Sequence, residues 1–200
     1  MPAASLPSYA PLDQASRIGP LGLAHDAGRL AALVSLGVGA ALLTRFVNFK
    51  LGIPGHHIVF VMFPLALGFA LAPRRAAGAI MSGSALATVA GLGLAGAKMP
   101  GPGVLAGMVL AGPLLDLALR WGREGPRLYA AFVGVGALAN IGAFLVRGAA
   151  KYWGVGGLGG TRPFAAWLTV AVWTYVIAGM LAGLLSAAAW FHLGSRRAGT

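Results

Sequence analysis

The sequence contains no cysteine and only four acidic residues, Asp13, Asp26, Asp116 and Glu124. Without cysteine there is no disulfide framework, no thiolate metal site and no cysteine nucleophile. Charged residues of both signs make up 10% of the chain, against about 25% in a soluble domain. No Walker motif, zincin motif or serine nucleophile elbow is present, so the chain has no recognisable route to ATP hydrolysis. Gly154 to Gly159 has the spacing GxGxxG. No strand precedes it, and it is not read as a dinucleotide site.

Apolar residues fill the space that charge leaves. The chain is 58% hydrophobic over 200 residues, with a mean hydropathy of +0.81. A soluble protein of this length could not hide so much apolar surface, so the expected solvent is lipid. The net charge of +11 comes from 15 Lys+Arg against the four acids. These cations lie in short clusters between apolar runs. That is how membrane proteins set their orientation, and nucleic-acid binding is not expected.

Six apolar runs are long enough to be membrane spans, at about 17–25 residues per span or slightly fewer. They cover residues 29–47, 58–72, 76–97, 103–119, 128–146 and 163–193. The breaks between them are physical: Pro73-Arg74-Arg75, the Pro/Gly run from Met99 to Gly103, the charged stretch from Arg120 to Arg127, and the glycines from Gly154 to Gly160. The second and fourth runs are short and hold Pro64 and Pro113, where kinks are expected. Continuous apolar runs without alternation argue against a β-barrel. The expected fold class is all-α, a polytopic membrane bundle of six transmembrane helices. Residues 1–28 read as an irregular cytoplasmic tail, 29–193 as the bundle and 194–200 as a basic cytoplasmic tail. With both termini inside, nine cations fall on the cytoplasmic side and six outside, while all four acids fall on or near the inside. The outer side then carries cations and no carboxylate.

The residues that could carry chemistry gather at that outer side. Thr44 to Lys50, followed by Gly52-Ile53-Pro54-Gly55-His56-His57, joins the first two spans. Arg45, Asn48, His56 and His57 in this stretch could form one wall of a pocket, or an ordinary interfacial loop with snorkelling cations. His56 and His57 would point about 100° apart if both were helical, which disfavours shared metal ligation. Without a carboxylate on their side they also make a poor acid–base set, so no enzyme, metal or other cofactor is expected. Asn140 lies inside the fifth run, where a polar residue either reads a ligand or joins two helices. Trp167, with Tyr152, Trp153 and Phe164, brackets the outer end of the last run as a belt residue or a stacking surface. Asp116 precedes Arg120 by four residues, the spacing of a local ion pair. Small residues recur every four positions at Ala31, Ser35 and Gly39, and again at Gly83, Ala87, Gly91 and Ala95. Such ladders let helix backbones approach closely, within the bundle or against a partner.

The chain resembles the substrate-binding (S) components of energy-coupling factor (ECF) transporters. The likeness rests on its size, its six spans, and the run Leu51-Gly-Ile-Pro-Gly-His-His57 followed by Pro73-Arg74-Arg75 and a third helix rich in small residues. The resemblance implies a membrane-embedded subunit that captures a vitamin-like nutrient and works with a transmembrane coupling subunit and ATPase subunits. It implies a ligand near the outer face, and docking of the coupling subunit on the first helix, where Ala31, Ser35 and Gly39 match an alanine-x-x-x-alanine register. Nickel and cobalt members carry a histidine near the N-terminus, whereas this chain begins Met1-Pro2-Ala3-Ala4. The cationic outer side suits an anionic or neutral organic ligand. The alternative is a structural or assembly subunit of a larger membrane complex with no ligand of its own.

Overall fold

The computed structural model describes residues 20–47, 55–122, 124–154 and 164–192. These form six α-helices: α1 (Pro20–Phe46), α2 (Ile58–Leu71), α3 (Ala77–Leu94), α4 (Pro102–Ala118), α5 (Gly125–Tyr152) and α6 (Phe164–Ala187). A π-helical turn, Ala188–His192, extends α6. The chain is thus an all-α polytopic bundle.

Among the described residues the breaks act as expected, and several boundaries move. α1 opens at Pro20, nine residues before the expected start at 29. Proline is tolerated in a helix's first turn, and no breaker follows it within the helix except glycine. α4 likewise carries Pro102 at its start. α5 continues past Val146 to Tyr152, so Arg147 and Lys151 belong to its last turns. Cations there complement the negative end of the helix dipole. Pro64 and Pro113 both lie inside their helices without ending them.

Residues Asp26–Phe46 of α1, all of α3 and α5, and Trp167–Phe191 are long and apolar enough to cross a membrane. Their surfaces support that solvent. Val170, Trp173, Ile177, Leu181 and Leu185 on α6 are all exposed, a patch a water-soluble monomer rarely shows.

The two short helices have a different place. The sequence of α2, Ile-Val-Phe-Val-Met-Phe-Pro-Leu-Ala-Leu-Gly-Phe-Ala-Leu, has no polar side chain. A helix apolar all round sits in a protein core or in lipid; most of α2 is buried, and Phe63, Ala70 and Leu71 are exposed. α2 packs against each of the other five helices, which form an arc in the order α1, α3, α4, α5, α6 around it. Met62, Leu65 and Phe69 of α2 meet Leu33, Met81, Met108, Leu115, Phe132 and Ala182 in one core.

Glycine sets how closely the arc closes. A methyl placed on Gly78 of α3 would strike the Gly112 carbonyl of α4, and the reverse also holds. Gly136 of α5 and Gly179 of α6 make the same contact. These crossings use the small-residue packing of membrane helices. The ladders noted in the sequence do not take part. Ala31 and Ser35 are exposed, Gly39 is half-exposed, and Gly83, Ala87, Gly91 and Ala95 all face outwards.

Asp116 joins α4 to α3. Its carboxylate accepts hydrogen bonds from the backbone N–H of Gly78 (2.9 Å) and Ala79 (2.7 Å). The residue before α3 is Ala76, whose side chain cannot cap and whose φ is 64°. The carboxylate therefore supplies from α4 the cap that the α3 sequence lacks. The expected role, a local pair with Arg120, is not its principal one.

Candidate functional site

A cavity of about 190 Å³ opens at the end of the bundle where α5 finishes. It exists because α2 starts low. The turn ahead of α2 sits beside Asn140, while α5 runs on to Tyr152. The walls come from four elements: Gly55, His57, Ile58 and Val61 around the start of α2; Gly101 to Val104 and Gly107 of α4; Asn140, Ala143 and Arg147 of α5; and Tyr175 of α6.

Asn140 holds these elements together. It is 2% exposed. Its amide nitrogen donates to the Gly55 carbonyl at 3.2 Å and to the Tyr175 carbonyl at 2.6 Å. A buried amide finds partners because leaving it unpaired costs free energy. Here the partners lie on the α2 turn and on α6. Gly55 makes the approach possible. Its φ is +85°, and an added methyl would lie 2.8 Å from the Asn140 nitrogen and 3.0 Å from the Tyr175 ring. Gly55, the second glycine of the run Leu51 to His57, is thus fixed by backbone conformation and by space.

Tyr175 is buried, and its hydroxyl accepts a hydrogen bond from Arg147 Nη1 at 3.2 Å. Its ring lies against Phe144 (centroids 5.6 Å apart), and Phe144 stacks on Trp167 (5.5 Å, 20° between planes). Lys151 Nζ sits 5.3 Å from the Trp167 ring centroid, a cation–π distance. Arg147 is exposed at the cavity mouth.

His56 and His57 differ from the helical expectation. Both precede α2, in a turn closed by bonds from Ile58 N to Gly55 O, Val59 N to His56 O and Phe60 N to His57 O. These i→i+3 bonds wind the turn more tightly than an α-helix. The imidazoles lie together, with ring centroids 4.1 Å apart, rather than diverging. His57 lines the cavity, and its Nδ1 is buried with no hydrogen-bond partner among the described residues. Burial lowers its pKa below the ordinary value, helped by His56 and by Arg147. The neutral imidazole is the form the site favours. No group of three His, Cys, Asp or Glu residues able to hold a metal occurs among the described residues.

Of the residues singled out in the sequence, the structure brings His57 and Asn140 to the cavity. His56 packs behind His57. Arg45 is half-buried near the end of α1 with its guanidinium 5.7 Å from the Phe46 ring centroid, and it does not line the cavity. Trp167 supports Phe144 one layer behind Tyr175 rather than facing the cavity. Asn48 lies outside the described residues. Two residues escaped the sequence reading, Arg147 and Tyr175. The fifth apolar run ends at Val146, so hydropathy alone leaves Arg147 outside the span. Its position seven residues after Asn140 gave the missing signal, since i and i+7 share a helix face.

Comparison of the chain with protein-family models, with curated proteins and with solved structures finds no match.

Proposed function

We propose that this chain is the membrane-embedded substrate-binding subunit of an ECF-type nutrient uptake transporter. In this reading it lies in the cell membrane with both termini cytoplasmic. It takes a small, vitamin-like organic molecule from outside into the cavity beside Arg147. Separate transmembrane coupling and ATPase subunits then drive release inside. The observation that supports this most is the cavity itself: it opens at one end of the bundle, its other side is closed by the packed α2 core, and its wall holds a few convergent polar groups. Ligand sites take this form, mostly apolar with a small number of placed polar groups. The described residues that line the cavity include no acid, whereas ion-coupled carriers place carboxylates within their spans.

The outward ladders favour a partner helix. In this reading Ala31, Ser35 and Gly39 on α1 meet the coupling subunit. The same observation supports the alternative, a ligand-free assembly subunit. Native mass spectrometry of the detergent-purified chain separates the two. The uptake reading expects a small molecule that co-purifies and is lost on Gly107→Val. It also expects ATP-dependent accumulation in vesicles when coupling and ATPase subunits are co-reconstituted. A chain that carries no ligand in any preparation, and purifies in fixed ratio with another membrane protein, overturns it.

A further inference from the structure

The polar groups of the cavity are sorted by depth. Asn140, Ala143 and Arg147 stand three and four residues apart on α5, so they share one face. Seven residues of helix separate Asn140 from Arg147 by about 10 Å along the axis. At the deep end the Asn140 nitrogen already donates to two backbone carbonyls, Gly55 and Tyr175. Both of its protons are used, and the group it can still offer is its carbonyl oxygen, an acceptor. At the mouth Arg147 has donors only, with one Nη1 bond engaged on Tyr175 Oη. That bond occupies a lone pair of the hydroxyl and leaves the Tyr175 O–H proton free to donate. Between the two ends the wall is largely apolar, with Ile58, Val61, Val104 and Ala143, and His57 lines it beside the start of α2. The volume of about 190 Å³ is below the roughly 300–1,000 Å³ of a pocket for a drug-sized molecule.

Resting on the reading of this cavity as a binding site, we infer that it selects a small monocarboxylate with a hydroxyl or N–H donor at its far end. The carboxylate sits at Arg147 and the Tyr175 hydroxyl. A single ring or short chain fills the apolar middle. The distal donor meets Asn140 Oδ1. The Arg147 charge repels a cation at the mouth. A dianion with its second charge at the far end would face the Asn140 acceptor without a donor. Gly107 keeps the middle open. A methyl there would meet only Ile58 Cδ1 at 3.6 Å and Ala143 Cβ at 3.9 Å, which is ordinary contact. Larger side chains at this position therefore occupy the cavity without forcing the helices apart.

The test is isothermal titration of the detergent-purified chain with four matched probes: 4-hydroxybenzoate, benzoate, 4-hydroxybenzamide and 4-hydroxybenzylamine. The expected order places 4-hydroxybenzoate first, about ten- to a hundred-fold tighter than the neutral amide, the scale of a charge-assisted hydrogen bond. Benzoate, lacking the distal donor, is weaker than 4-hydroxybenzoate, and the amine does not bind. Arg147→Gln removes the preference for the anion over the amide, and Gly107→Val removes binding of all probes. Since the comparison of probes on the unaltered chain needs no variant, a poorly folding Arg147→Gln leaves the test intact. If the amide or the amine binds as tightly as 4-hydroxybenzoate, and Gly107→Val abolishes this, the cavity binds ligands but the carboxylate assignment is overturned. If no probe binds, the binding reading of the cavity falls with it. Two further titrations, with hexanoate and dodecanoate, separate a free solute from a lipid: dodecanoate binding tighter than hexanoate and 4-hydroxybenzoate would assign the site to a lipid chain and overturn the free solute.

Discussion

Asn140 couples three parts of the chain through one amide, and its neighbours respond to its loss. Asn140→Ala removes both bonds and leaves the Gly55 and Tyr175 carbonyls without this donor. We expect a loss of about 1–3 kcal/mol, seen as a lower melting temperature in detergent. Unchanged melting would show that the amide contributes nothing to holding the turn before α2. His57 carries a pH signature. Its folded pKa lies below the ordinary 6.5, so the unfolded chain binds a proton more readily. The contribution of His57 to stability is therefore full above about 6.5 and is lost as pH falls from there through the lowered folded value. The melting temperature of the unaltered chain should drop more across that window than that of His57→Gln. Parallel pH curves for the two would contradict the burial of a neutral imidazole. Asn140 was legible in the sequence because a lone amide in an apolar run is conspicuous. Tyr175 was not, since a tyrosine in a lipid-embedded helix reads as a belt residue until its hydroxyl has a partner.

At the scale of the helices, the crossings rest on backbone contact. Gly136→Ala places a methyl on the Gly179 carbonyl and should cost about 1–3 kcal/mol by overpacking. Gly134→Ala, two residues away, meets nothing within 4 Å and should be neutral or slightly stabilising. Equal thermal shifts for the two variants would refute the close α5–α6 crossing. The α3–α4 pair has a polar fastening as well. Asp116→Ala should cost about 0.5–2 kcal/mol, as loss of a helix cap does, and Asp116→Asn should recover part of it. If Asp116→Ala melts as the unaltered chain does, the carboxylate does not cap α3. The helix boundaries that the sequence misplaced have simple causes. The start of α1 and the end of α5 carry charged residues that a hydropathy window rejects but a helix end accepts.

For the whole molecule, the arrangement of five helices around a sixth makes a statement about topology. α4 has 17 residues, about 25 Å at 1.5 Å per residue, slightly less than the hydrocarbon core. The bundle nevertheless places its two ends, near Lys98 and Trp121, beyond opposite ends of one helix. The lack of native cysteine makes the check direct. Lys98→Cys and Trp121→Cys, each a single thiol in an otherwise cysteine-free chain, should differ in labelling by an impermeant maleimide on intact cells. Lys98→Cys should react and Trp121→Cys should react only after lysis. Labelling of both, or the reverse pattern, would overturn the proposed orientation.

The sequence by itself determined the six helices of the described residues, and nearly where they run. Continuous apolar runs without alternation, separated by Pro, Gly and Arg, point to helices, which satisfy their own backbones in lipid. The central place of α2 was not legible in the sequence; residues 58–72 read only as a short span holding Pro64, and the packing of α2 against the other five helices put it at the centre. Only the tertiary structure decided which residues meet. Asn140 finds Gly55 across 85 positions, and Asp116 finds Gly78 across 38. In water the polar face of a helix would announce its rotation. In lipid the inward and outward faces are both apolar, so the pattern does not encode which way a helix turns. Asn140 and Arg147 of α5 and Tyr175 of α6 meet at one cavity because those helices cross closely at Gly136 and Gly179, and the Asn140 bond to Gly55 brings the turn with His57 to it.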